Sequence, residues 1–129
     1  MGNAEKIDID VFKAVARAIA HSDDLEIMTG HLTQLLVGTL EIKGCSIFAL
    51  EPESGELELL SGFGLSVGYL NKGPVFSGKS IGDIKNGKPV IIRDLKDTDL
   101  LQYPQEASEE GIGAIVSVPI KFYGKNIGA

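Results

Sequence analysis

The segment Gly73–Ser80 reads GPVFSGKS and matches every fixed position of the phosphate-loop pattern G-x-x-x-x-G-K-[ST]. In that motif, backbone N–H groups surround the phosphates, the lysine meets their charge and the hydroxyl holds Mg²⁺. A functional loop follows a buried strand and opens a full helix. Here, Gly68–Lys72 is not strand-like, and Gly87-Lys88-Pro89 ends any following helix early. The context therefore argues against nucleotide hydrolysis.

A second glycine-rich segment, Gly62–Gly68, follows a predicted strand and precedes a predicted helix, as a dinucleotide-binding loop would. Its last glycine gap is one residue too long, and no parallel βαβ unit surrounds it. We therefore interpret these glycines as permitting a tight turn from strand to helix.

The nucleophiles and metal-ligating side chains are isolated from one another. Cys45 begins an apolar run with no histidine nearby in sequence, which is typical of a small core residue. His21 and His31 each stand alone, and neither has the spacing of a metal or haem ligand. The acids from Asp94 to Glu110 lack calcium-loop spacing and are interpreted as a solvated surface. We expect no catalytic residue, no metal site and no enzymatic activity.

Composition restricts the functional class further. The chain has 129 residues, a formal charge of −6, 43% hydrophobic residues and one cysteine, which suits one globular domain in a reducing compartment. The acidic balance argues against nucleic-acid binding, and no apolar run reaches the roughly 20 residues that span a bilayer. With no signal peptide visible, we expect a cytoplasmic protein without nucleic-acid or membrane partners.

Two helices are predicted first. Residues 8–20 place Val11, Val15 and Ile19 on one helical face, a stripe that needs the domain body or a second copy to cover it. Asp23 and Glu26 have the form of a capping box. After them, an apolar stripe predicts a helix on the core, formed by Leu25, Met28, Leu32, Leu35, Leu36 and Leu40. Gly44 is predicted to form its left-handed cap.

Strands dominate the rest of the chain. Cys45–Leu50 and Glu56–Phe63 are joined by turn residues and predict an antiparallel hairpin. Beyond them we predict short helices near 66–71, 80–86 and 106–110, and a strand at Pro89–Ile92. Gly113–Phe122 is predicted as one long strand leading into a hairpin turn. This order predicts an α+β fold with an antiparallel sheet and helices gathered on one face.

The arrangement resembles the GAF domain, a small sensory module of signalling proteins, over residues 22–129. Three stretches carry the resemblance: Leu32 to Phe63, Ser80 to Asp94, and Gly111–Ile120 with Gly124 and Ile127-Gly128. The second is similar to the family's Gly-x-Val-(helix)-Gly-x-Pro-Val-x-Val-x-Asp segment, which also explains the phosphate-loop match. The third is similar to the family's Val-Pro-Leu strand and glycine turn.

The resemblance implies a GAF-like (PAS/profilin-like) antiparallel sheet with N-terminal helices packed on one face. It also implies a ligand pocket under loops on the other face, and dimerisation through flanking helices. The markers of known ligand subgroups are sparse: Asn71-Lys72 only echoes the cyclic-nucleotide motif, and one cysteine cannot serve the sulfoxide-reducing branch. The cofactor therefore stays unknown. As apolar pocket lining we expect Phe48, Phe63, Tyr69, Phe76 and Ile92.

The family pattern continues past Ala129 with a last strand beside the first and a C-terminal helix. We therefore expect residues 1–21 to be a dimerising N-terminal helix and residues 22–129 to be a C-terminally truncated GAF-like domain. Such a domain would have unpaired sheet edges.

Two functional hypotheses follow. The leading one is a non-enzymatic sensory module that binds a small molecule and forms a homodimer through its helices. The alternative is an interaction domain that binds no small molecule and serves mainly to dimerise.

Overall fold

In the computed structural model, residues 24–77, 87–95 and 101–129 are described. The predicted helix at 8–20, the helix near 80–86, His21 and Asp23 lie outside these ranges. The elements, in chain order, are α1 Leu25–Leu40, β1 Cys45–Leu50, β2 Glu56–Phe63, α2 Val67–Leu70, β3 Val75–Phe76, β4 Val90–Ile92, α3 Pro104–Glu109, β5 Ile115–Ser117, β6 Ile120–Phe122 and β7 Lys125–Gly128.

The strands form a five-stranded sheet in the order β3-β2-β1-β7-β6 and a separate two-stranded sheet of β4 and β5. Their resolved pairings are antiparallel. The predicted α+β class with an antiparallel sheet is confirmed.

The chain divides into two compact units. The first contains α1, the beginning of β1 up to Ile47, and Leu60–Leu65. The second contains Phe48–Leu59 and the described residues of Ser66–Ala129.

In the first unit, α1 is held by threonines rather than by its leucine stripe alone. Thr33 is fully buried, and its Oγ1 lies 3.2 Å from Ser61 Oγ of β2 and donates to Gly30 O at 2.9 Å. Leu25 and Leu40, the two ends of the predicted stripe, are 53% and 45% exposed. The predicted stripe is therefore covered only in its middle.

The caps of α1 differ from the predictions. Asp24 is the N-cap, and its Oδ1 accepts hydrogen bonds from the backbone N–H groups of Glu26 (2.8 Å) and Ile27 (3.2 Å). Asp23 and Asp24 have the same side chain and suit an N-cap equally, and the spacing to Glu26 led to the wrong prediction of Asp23. The left-handed C-cap is Glu41 (φ 53) rather than Gly44. Gly44 serves close packing instead, since a Cβ there would lie 2.6 Å from Leu65 Cγ.

In the second unit, the core forms around Leu57 and Val75, which are 3% and 6% exposed. Partly buried side chains pack against this pair: Phe48, Leu50, Tyr103 and Ala129. Ala107 of α3 is fully buried. Burial of these apolar groups is the main source of stability for this unit.

The predicted long strand Gly113–Phe122 is wrong in its continuity. Ile115–Ser117 pairs with β4, whereas Ile120–Phe122 pairs with β7. Pro119 lies in the gap and has no N–H to donate to a strand ladder, so the chain changes partner there.

The sheet position between β1 and β6, expected to be open, is occupied by β7. Ala49 pairs with Gly128, and Phe48 and Ala129 exchange backbone hydrogen bonds of 2.8 and 3.0 Å. A Cβ at Gly128 would lie within 2.1 Å of Phe48 O, so only glycine fits this position.

Candidate functional site

The candidate site contains the short helix α2, which Ser66 caps at its N-terminus. Ser66 Oγ accepts a hydrogen bond from the Tyr69 amide at 3.1 Å. The amide and hydroxyl of Ser66 donate to the two carboxylate oxygens of Glu110, at 2.7 and 2.6 Å. These contacts connect α2 to the residue that follows α3 and so place Tyr69.

Lys72 lies one helical turn further on, with its ammonium against aromatic rings. Its Nζ is 4.0 Å from the centroid of the Tyr69 ring and 5.8 Å from that of Tyr103. The same Nζ donates to the Tyr69 carbonyl at 3.2 Å. Both distances fall in the range of a cation–π contact.

The loop after Lys72 is held by two neighbouring side chains. Tyr103 Oη and Gln102 Nε2 donate to Pro74 O at 2.6 and 2.8 Å, and Gln102 Oε1 accepts from the Phe76 amide at 3.0 Å. Gly73 has φ +142, and a Cβ there would lie 2.5 Å from Tyr103 Oη. A side chain at Gly73 would therefore displace the tyrosine that flanks Lys72.

Burial and nearby acids shift the proton affinities of two groups in this cluster. Burial lowers the pKa of the Lys72 ammonium below its usual value, and the carboxylate of Glu106 partly offsets this. Burial raises the pKa of the Tyr69 hydroxyl, with further contributions from Glu110 and Glu106. Both shifts arise because half-burial disfavours charge. We call Tyr69, Lys72, Gln102, Tyr103 and Glu106 the Lys72 site.

The side chains of the Lys72 site are suited to binding a ligand. An ammonium has three N–H donors, and one is used by the Tyr69 carbonyl. The other two can donate to a ligand oxygen, while the Tyr69 and Tyr103 rings offer apolar faces beside it. A half-buried cation favours an oxygen acceptor with negative charge, because such a partner compensates for lost solvation.

The five predicted lining residues are distributed over both units. Tyr69 belongs to the Lys72 site. The backbone N–H of Phe76 donates a hydrogen bond to Gln102 of that site. Phe48 packs on the Leu57 and Val75 core, as Tyr103 does. Ile92 is 5% exposed in β4. Phe63 is 44% exposed and belongs to the first unit.

The sequence reasoning missed most of the Lys72 site. In the sequence, Lys72 stands out only as part of an Asn-Lys pair, and no motif singles out Gln102 or Tyr103. One signal was available: Pro104 stands at the start of α3, where proline is favoured. It marks the helix start beside Tyr103 but does not indicate what Tyr103 contacts.

The other chemically active residues have local roles. In the phosphate-loop match, Val75–Phe76 form β3 paired with β2, and Gly78–Ser80 lie outside the described residues. Cys45 is a partly buried free thiol whose pKa is raised by burial. His31 has a buried Nδ1 without a hydrogen-bond partner in the described part of the chain.

Within residues 24–77, 87–95 and 101–129, no three His, Cys, Asp or Glu side chains are grouped so as to hold a metal ion. No helix in these ranges is both long and apolar enough to cross a membrane.

A family model for the GAF domain matches residues 24–129, which is most of the chain. The chain belongs to the GAF domain family. No curated protein sequence matches it significantly.

Solved structures agree with this GAF fold. The GAF domain from a phosphoenolpyruvate-protein phosphotransferase of Coxiella burnetii is 20% identical with a TM-score of 0.75, covering 98% of this chain and 76% of that one. A methyl-accepting chemotaxis protein fragment is 20% identical with a TM-score of 0.73, covering 92% and 78%. Free methionine-R-sulfoxide reductase from Neisseria meningitidis, solved with its substrate, is 16% identical with a TM-score of 0.69, covering 92% and 67%. At these identities the likeness shows the fold alone.

Proposed function

We propose that this GAF domain is a non-enzymatic sensory or regulatory module of a signalling protein that binds a small molecule at the Lys72 site. The observation that carries the proposal is the half-buried Lys72 ammonium beside the Tyr69 and Tyr103 rings, with one of its three N–H donors bonded within the described part of the chain. The similar structure from a methyl-accepting chemotaxis protein supports a signalling role.

The ligand class follows from the chemistry of the site. A planar or apolar body would lie against Tyr69, and a carboxylate, phosphate or carbonyl oxygen would accept hydrogen bonds from Lys72. The carboxylate of Glu106, which is near enough to raise the pKa of Lys72, would repel a ligand that carries several negative groups. A ligand with one negative group therefore fits better than one with several.

Signal output would follow from a population shift. The loop carrying Lys72 and Pro74 connects to α3 through Gln102 and Tyr103. A ligand that prefers one arrangement of this loop would shift the population toward it by its differential affinity. We further propose that the module works in the cytoplasm as a homodimer joined through Val11, Val15 and Ile19, which lie outside the described residues.

Native mass spectrometry of the whole chain, purified gently from cells, tests the ligand proposal. We expect a mass excess of one small molecule per chain in the wild type and its loss in Lys72→Met. Lys88→Met is the matched control, because Lys88 is an exposed lysine outside the Lys72 site. A mass excess that persists in Lys72→Met would contradict the assigned site.

The alternative, a ligand-free dimerisation domain, is favoured by a different observation. Large apolar side chains are exposed on the strands of the second unit, including Ile91 (56%), Val116 (66%) and Phe122 (62%). Exposed apolar surface of this kind marks protein contacts. A wild-type chain that carries no bound mass, and that no small molecule stabilises against heat, would support this alternative.

A further inference from the structure

The hairpin that joins β6 to β7 presents two aromatic rings between two lysines. Its sequence, Lys121-Phe122-Tyr123-Gly124-Lys125, is exposed at every position. Phe122 and Tyr123 are 62% and 94% exposed, and their rings meet edge to face with centroids 4.5 Å apart. We call these five residues the lysine turn.

The backbone of the lysine turn has the dihedral angles of a tight hairpin turn. Tyr123 and Gly124 have positive φ values of 50 and 75, the combination required at both centres of a tight type I′ hairpin. A tyrosine in this region is uncommon and carries a conformational cost. The ring of Tyr123 is nevertheless exposed to solvent, and exposed aromatic side chains are common contact residues in protein–protein interfaces.

An acidic turn lies at the same end of the sheet. Glu51–Glu56 joins β1 to β2 and exposes the side chains of Glu51, Glu53 and Glu56. Because Ala49 pairs with Gly128 in an antiparallel ladder, the C-terminal end of β1 and the N-terminal end of β7 lie at the same end of the sheet. We call Glu51–Glu56 the glutamate turn.

The two turns are therefore neighbours of opposite charge. In the strand order β2-β1-β7-β6, their centres are two strand spacings apart, which is about 10 Å. Rotating a second copy by half a turn about an axis normal to the sheet exchanges the two positions. Each glutamate turn then faces a lysine turn, and this end of the sheet is complementary to itself.

We propose that two copies of this GAF domain associate end to end through this surface, the glutamate turn of each against the lysine turn of the other. Phe122 and Tyr123 lie in each contact and supply its apolar area, and the charges set the register. This surface uses none of the residues of the Lys72 site and none of Val11, Val15 and Ile19, which were named in the proposed function. The area offered by two turns is small, so the association is weak and salt-sensitive.

The charges of the two turns favour a second copy of this chain as the partner. An anionic lipid surface or a nucleic acid would attract Lys121 and Lys125 but would repel the glutamates next to them. A second copy satisfies both turns at once.

Reciprocal charge reversal of the whole chain tests the proposal. One variant carries Lys121→Glu and Lys125→Glu, and the other carries Glu53→Lys and Glu56→Lys. Glu51 is left unchanged because its Oε1 accepts a hydrogen bond from the Glu53 amide. Sedimentation velocity over a concentration series should show each variant alone weakened by about tenfold or more in this association. An equimolar mixture of the two should restore it, because every contact then joins opposite charges.

The controls separate this contact from other causes. Lys43→Glu with Arg93→Glu makes the same net-charge change as the lysine variant, at exposed positions outside the two turns, and should associate like the wild type. Dimers formed through the N-terminal helix would be insensitive to both reversals. Unchanged association in the single variants, failure of the mixture to associate, or binding of the wild type to phosphatidylserine vesicles without self-association would overturn the proposal. Far-UV circular dichroism of each variant verifies folding.

Discussion

The two side chains that hold the Pro74 loop should contribute unequally to stability. Tyr103→Phe removes the 2.6 Å bond that Tyr103 Oη donates to Pro74 O and the long 3.3 Å bond that it accepts from Gln102 Nε2. The carbonyl keeps its 2.8 Å bond from Gln102 and is exposed to water, so no group is left unsatisfied. We expect a loss of about 1 kcal/mol in the free energy of unfolding.

Gln102→Ala removes more. It deletes the donor to Pro74 O and also the acceptor of the Phe76 amide at 3.0 Å. Because Phe76 is partly buried, water replaces this acceptor poorly, and we expect a loss of about 2–3 kcal/mol. Gln105→Ala is the matched control: Gln105 is exposed on α3, its Nε2 donates to Glu109 at 3.2 Å, and its loss should cost about 0.5 kcal/mol or less.

Urea unfolding of the four proteins, fitted with a shared m value, measures these differences. The reasoning is refuted if Gln102→Ala costs no more than Gln105→Ala. It is also refuted if Tyr103→Phe costs as much as Gln102→Ala, since the bonds of the hydroxyl to the exposed carbonyl and to Gln102 Nε2 would not account for so large a loss.

Three further predictions concern glycines, the thiol and Lys72. Gly38→Ala, in α1 with open space around its Cβ, should stabilise the chain by about 1 kcal/mol. Gly64→Ala, where φ is +80 and the Cβ would lie 2.3 Å from a backbone oxygen, should destabilise it by more than about 1 kcal/mol in the same urea assay; equal signs would contradict this. Because burial raises the pKa of Cys45, iodoacetamide at neutral pH should alkylate it more slowly than in the urea-unfolded chain, and equal rates would count against burial. Burial lowers the pKa of Lys72 in the fold, so the unfolded chain binds more protons as the pH rises toward 10.5. The unfolding free energy of the wild type should therefore rise relative to Lys72→Met over that approach, and a difference that stays flat with pH would refute it.

Local patterns predicted the elements whose signals are contained in a few neighbouring residues. The bounds of β1 and β2 match their predictions, because alternation and turn residues specify a hairpin without help from distant chain. The β6–β7 turn was found for the same reason. The identification of the GAF fold depended on the order of these elements together with glycine and proline positions.

Predictions failed where two local solutions were nearly equal. Asp23 and Asp24 both suit a helix N-cap, and only the path of the chain into α1 chose Asp24. The run from Gly113 to Phe122 has strand propensity throughout, but β4 pairs with its first half and β7 with its second. Which strand a segment pairs with depends on the other strands in the fold, and the sequence of the segment alone does not specify its partner.

The sequence by itself determined the fold class, the hairpins, the family and the lack of an evident catalytic motif, because all of these depend on residue order and periodicity. Only the tertiary structure placed Tyr103 beside Lys72, and the glutamate turn next to the lysine turn. In both cases the residues are far apart in the chain and carry no shared local signal. Their proximity results from sheet order and the packing of α2 and α3, which arise only when the whole second unit buries its apolar surface.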